Sequence, residues 1–108
     1  MSVLFIYITT GTRDEAETIS ARLVEERMVA CTNILSPMLS LFHWNGGVDK
    51  ETETVLIAKT TKDRFEALCE RVKKLHSYDC PCIIALPVVA GSADYLKWVE
   101  EEVSKPAG

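Results

Sequence analysis

The stretch His76-Ser77-Tyr78-Asp79-Cys80-Pro81-Cys82 holds more side chains able to bind a metal than any other part of the 108-residue chain. Cys80 and Cys82 are two apart, so in an extended segment both thiols face one side, and His76 precedes them at the end of a helical pattern. Thiolate and imidazole are donors suited to copper and zinc. His76, Cys80 and Cys82 are therefore the candidate metal ligands. Their spacing matches no standard zinc pattern, and two buried, unreactive thiols account for the same cysteines.

Two other cysteines read as core residues: Cys31 at the start of a long apolar stretch and Cys69 on a helical apolar stripe. Lys59-Thr60-Thr61 stands where a strand passes into a helix. Free amides at such a start can take an anion, although a hydroxyl serving as a plain cap explains Thr60 or Thr61 equally well. Lys59, Tyr78 and Trp98 are the candidate contacts for a small molecule in a cleft between subunits. There is no nucleophile elbow, phosphate loop or HExxH motif, and His43 and His76 belong to different elements. No catalytic residue is assigned, and the chain reads as a non-enzyme.

Composition narrows the function classes. The net charge is -4, with 12 Lys and Arg scattered among 16 Asp and Glu, so no basic patch for nucleic acid is visible. The longest apolar runs are strand-length, which argues against a membrane span. Met1-Ser2-Val3-Leu4 has no basic stretch before its apolar run and no cleavage site, so the four cysteines are expected to be thiols in a cytoplasmic protein.

The elements that must position these residues follow from periodicity. Val3 to Thr10 is nearly all apolar and β-branched, as a central strand covered on both faces would be. Thr12-Arg13-Asp14-Glu15 matches a capping box, and Ala16, Ile19, Leu23 and Val24 continue a helix that ends at Arg27 or Met28. Ala30 to Trp44, the turn Asn45-Gly46-Gly47, and Thr52 to Thr61 make a long hairpin, with Pro37 bending its first arm. Phe65 to Leu75 is a second helix, with Lys73, Lys74 and His76 suited to its negative end. Pro81 to Val89 is a fourth strand, and Ser92-Ala93-Asp94 opens a third helix carrying Leu96, Val99 and Val103.

In order the elements are β-α-β-β-α-β-α, an α+β split β-α-β pattern with one C-terminal helix appended. One domain over residues 1–104 and a frayed tail over 105–108 are expected. A strand of about 15 residues spans on the order of 50 Å, against a radius of gyration of about 13 Å for a domain of this size. The hairpin cannot be covered by its own chain. Its tip carries Leu41, Phe42 and Trp44, so self-association is expected.

Several segments resemble the CutA family of divalent-cation tolerance proteins: Asp14-Glu15-Ala16, Ala30-Cys31-Thr32-Asn33-Ile34, Trp44-Asn45-Gly46, Lys59-Thr60-Thr61, His76-Ser77-Tyr78-Asp79, Ile83-Ile84-Ala85-Leu86-Pro87-Val88 and Asp94-Tyr95-Leu96-Lys97-Trp98-Val99. The resemblance covers nearly the whole chain. It implies a ferredoxin-like fold assembled as a homotrimer through the hairpins, similar in architecture to PII signalling proteins. It further implies a response to metal ions, with copper or another divalent ion bound and no metal required for folding. A PII-like small-molecule module and a structural trimer without a ligand are the alternatives. The chain departs from the family's copper ligands: Thr9 or Thr10 stands where a cysteine is usual, and Leu75-His76 where two histidines are. Ser77 replaces a proline, and Cys82 replaces a glutamate.

Overall fold

A computed structural model describes residues 2–107 and arranges them as β1 (Val3–Thr10), α1 (Arg13–Glu25), β2 (Cys31–Trp44), β3 (Gly47–Thr61), α2 (Phe65–Leu75), β4 (Ile83–Pro87) and α3 (Ala93–Ser104). The four strands form one antiparallel sheet in the order β2-β3-β1-β4. This is the expected ferredoxin-like split β-α-β topology, in which each strand pair joined through a helix has another strand inserted between its members. α3 runs to Ser104.

Alternation along the strands assigns the two faces. Leu4, Ile6 and Ile8 of β1, with Leu56 and Ala58 of β3, point to one side and pack with Ala16, Ile19 and Leu23 of α1 and Leu68 and Val72 of α2. Ile6, Ile8, Leu56 and Ala58 are all at 0% exposure. Phe5, Tyr7, Ile57, Lys59, Cys31, Asn33, Leu35, Ile84 and Leu86 share the other side. There α3 covers only one end, burying Val99 and Val103, and is tied down where Arg64 Nε donates to the Val103 carbonyl at 2.9 Å. The rest of that face is open.

The hairpin is longer than the sequence pattern indicates at its second arm: β3 begins at Gly47, since Asn45 (φ 49°) and Gly46 (φ 79°) alone make the turn. Positive φ at both central residues is the tight turn whose twist matches paired strands. At Ser36-Pro37, a cis peptide, the register shifts between Leu35 and Met38. The extra residue reverses the alternation, so Met38, Ser40 and Phe42 take the face that Leu35 occupies before it. The arm bends where Pro37 predicts.

α1 stops at Glu26 through a C-terminal cap in which Met28 N–H reaches the Leu23 carbonyl and Arg27 N–H the Val24 carbonyl. Arg27 takes the left-handed conformation there (φ 60°) and spends its side chain on Glu102, Nη1 to Oε1 at 2.8 Å. β4 is shorter than Pro81–Val89. Pro81 has no amide to donate, and after the Val88 amide bonds to Val3 the chain leaves the sheet.

Candidate functional site

The ligand-rich segment follows α2, and its shape is set by the way that helix ends. His76 leaves helical geometry (φ -83°, ψ 143°), its amide still bonded to the Val72 carbonyl, and this turns the imidazole beneath the end of β1. Nε2 lies 2.7 Å from the Thr9 carbonyl oxygen. A carbonyl only accepts, so Nε2 carries the hydrogen and Nδ1 the lone pair, which takes the Tyr78 amide at 3.0 Å. Both ring nitrogens are thereby engaged.

Glu15 completes this knot. Thr12 caps α1 as predicted, accepting from the Glu15 amide at 3.1 Å, but the Glu15 carboxylate does not return to Thr12. It accepts from the Ser77 amide at 2.7 Å and the Gly11 amide at 3.4 Å, and its Oε2 is 3.7 Å from His76 Nδ1. Burial alone would push this carboxyl up. The Ser77 and Gly11 hydrogen bonds, with the nearby His76 ring, outweigh it and hold Glu15 below the usual carboxylate range.

Tyr78 stacks obliquely on His76, ring centroids 4.7 Å apart, and its hydroxyl donates to Glu53 Oε2 at 2.9 Å. Burial first, then this bond and the carboxylates of Glu53, Glu15 and Glu51, push its pKa up to about 12, so the phenol stays a donor. Cys82 is half-buried beside Thr9. Burial raises its thiol, the Thr9 hydrogen bond draws it back, and Glu53 raises it again.

The expected donor set is not assembled as the spacing suggests. Cys80-Pro81-Cys82 precedes β4 and is not a ladder segment, leaving Cys80 exposed and Cys82 half-buried. Among the described residues, no group of three or more His, Cys, Asp or Glu side chains is placed to hold a metal ion. What the fold gathers instead is Glu15, Glu53, His76, Tyr78 and Cys82. Sequence reasoning missed Glu15 and Glu53. Glu15 had been absorbed by the capping box, and Glu53 looked like any outward strand residue.

Lys59 and Trp98 lie elsewhere. Lys59 is the cross-strand partner of Cys31 and donates to Asn33 Oδ1. Cys31 Sγ is 3.3 Å from Tyr95 Oη, and the Tyr95 ring packs on Trp98 at 5.7 Å. Tyr78 takes no part in this second cluster. Neither threonine caps α2. A single 3-10 turn over Lys62–Arg64 moves the helix start to Phe65, so Thr60 Oγ1 donates to the Met28 carbonyl at 2.7 Å and Thr61 Oγ1 to Asp63 at 2.6 Å. Among the described residues, no helix is long and apolar enough to cross a membrane.

The sequence profile described as CutA1 divalent ion tolerance protein matches residues 4–102. The divalent-cation tolerance protein CutA of Archaeoglobus fulgidus is 42% identical over 99 residues, which are 92% of this chain and 96% of that protein. The solved structure of the Thermus thermophilus divalent cation tolerance protein superposes with a TM-score of 0.90 at 40% identity, covering 98% of this chain and 99% of its own. The A. fulgidus structure, described as that of a periplasmic protein, also gives 0.90, at 42% identity over 94% of this chain and 98% of that one. Motifs, topology and these likenesses agree, and the chain belongs to the CutA divalent-ion tolerance family.

Proposed function

We propose that the chain works as a homotrimer taking part in the response to divalent metal ions, and that it meets those ions at the carboxylate- and thiol-bearing end of the open sheet face. The observation that carries the assembly is exposed apolar surface: Leu35, Leu39, Leu41, Trp44, Val48, Ile84 and Leu86 are each about half exposed or more. A monomer does not keep such a patch in water. The two free edges, β2 and β4, are different surfaces, so a contact joining one to the other is head-to-tail, and a finite assembly built on it closes as a ring. Three copies are the resemblance's answer to that requirement.

For the ion, Cys82, with Cys80 two residues away, supplies soft donors suited to copper, and Glu53, whose charge acts on Cys82, supplies an oxygen. Among the described residues no three such side chains are placed to hold an ion, so a third donor comes only with rearrangement or from another copy. His76 joins only if the Tyr78 amide releases Nδ1. In this reading the core is held by apolar packing and no metal is required for folding. The reading contains no catalytic residue, treats 1–104 as one domain with 105–108 outside it, and places the protein in the cytoplasm, bound to neither nucleic acid nor membrane.

Titration of the assembled protein with Cu(I), Cu(II) and Zn(II) tests the cation. Saturable binding that Cys82→Ser weakens by about tenfold or more is expected, the size usual for loss of a group that supports a metal site. Absence of saturable binding, or binding indifferent to both Cys82→Ser and Glu53→Gln, would refute the site.

A further inference from the structure

The opposite end of the same face has the opposite chemistry. Lys59 is half-buried, flanked across the strands by Phe5 and Cys31, and among the described residues no carboxylate lies within ion-pair distance of it. The other lysines without an ion-pair partner, Lys50, Lys62 and Lys74, are exposed to water. A half-buried ammonium held only by a neutral amide oxygen keeps donors to offer an anion.

Its surroundings specify the anion. Tyr95 Oη, 3.3 Å from Cys31 Sγ, remains a neutral donor because burial and then the Cys31 contact push its pKa up to about 12. Tyr95 and Trp98, 42% and 40% exposed, present two rings tilted by 33°. An anion is repelled by the electron-rich face of a ring, whereas a planar unsaturated body stacks on it. A ligand satisfying both puts its charge on Lys59 and its ring on the aromatic pair.

We propose that Lys59, Asn33, Cys31, Tyr95 and Trp98 form a binding site for a small aromatic carboxylate. The carboxylate pairs with the Lys59 ammonium and accepts from Tyr95 Oη, while the ring lies against Trp98. The site stands apart from the cation reading, because it shares no residue with Glu15, Glu53, His76, Tyr78 or Cys82.

The chain has two tryptophans, so Trp44→Phe leaves Trp98 as the sole indole reporter. Benzoate is titrated into that protein at low salt and Trp98 emission is followed. The expected result is a saturable change with a dissociation constant in the millimolar range, weakened about tenfold by Lys59→Met, less by Tyr95→Phe, and retained by Lys59→Arg. Acetate and inorganic phosphate should bind markedly more weakly than benzoate. No saturable change, equal affinity for acetate, or benzoate binding that survives Lys59→Met would each overturn the proposal. Sedimentation of Lys59→Met gives a second readout: dissociation of the assembly, with no benzoate binding to the parent protein, would mean that another protomer supplies the counter-charge, and that too would overturn it.

Discussion

The two faces of the sheet come from the same strands and have opposite fates. On one face Ile6, Ile8, Leu56 and Ala58 meet two helices and lose all contact with water. On the other, Ile84 and Leu86 stay about half exposed, and polar groups share the face with them: Lys59 and Asn33 at one end, Glu53 at the other. The first face is a finished core. The second is left open by the chain's own helices, and in the proposed assembly it is the surface that meets another chain.

The largest contrast is expected from truncating one residue on each face. Ile8→Ala leaves a cavity among side chains that cannot collapse into it, and should lower unfolding free energy by about 2–5 kcal/mol in denaturant titration. Leu86→Ala removes a similar side chain from the open face. If that face is an interface, its loss should appear as weaker assembly and a melting temperature that depends more steeply on protein concentration. Equal, concentration-independent losses from both variants would erase the contrast.

A smaller effect tests the knot at the end of β1. Thr12→Ala removes the cap on α1 and should cost about 1 kcal/mol. Glu15 lies just beyond it, with its pKa depressed on folding, so its contribution is fully present above the ordinary carboxylate pKa and is lost as pH falls through the lower folded value. Glu15→Gln should therefore lower stability by a constant amount at neutral and alkaline pH, leaving the slope there unchanged, and flatten the acid limb. An unaltered acid limb would show that the Ser77 and Gly11 amides do not depend on the carboxylate charge.

The smallest effect should come from Arg27→Gly. Glycine relieves the left-handed backbone but forfeits the partly exposed ion pair to Glu102, and the two small effects should nearly cancel in chemical denaturation.

These contrasts also show which parts of the molecule were legible in residue pattern. β1, the Thr12 cap, the bend at Pro37 and the Asn45-Gly46 turn each rest on local chemistry that a short window contains, so they were readable. The site was less so. Glu15, Glu53 and Tyr78 meet through contacts 25 to 62 residues apart in sequence, which no spacing rule encodes. Cys80 and Cys82 lie before the ladder, since Pro81 keeps the strand from starting before Ile83, and the same-side rule applies only within a strand. The pairing of Cys31 with Tyr95 depends on α3 crossing the far face, a placement that the stripe of Val99 and Val103 suggests without saying where it packs.

In the proposed assembly the open face and the overhanging hairpin are covered by other copies of the same chain. Sedimentation equilibrium at micromolar protein measures this most directly, because the chain mass is 12.1 kDa and a closed three-membered ring weighs three times that. A single species of trimer mass is expected, falling apart when Leu35 and Ile84 are both changed to glutamate. A parent protein that sediments as a stable 12.1 kDa monomer would contradict it.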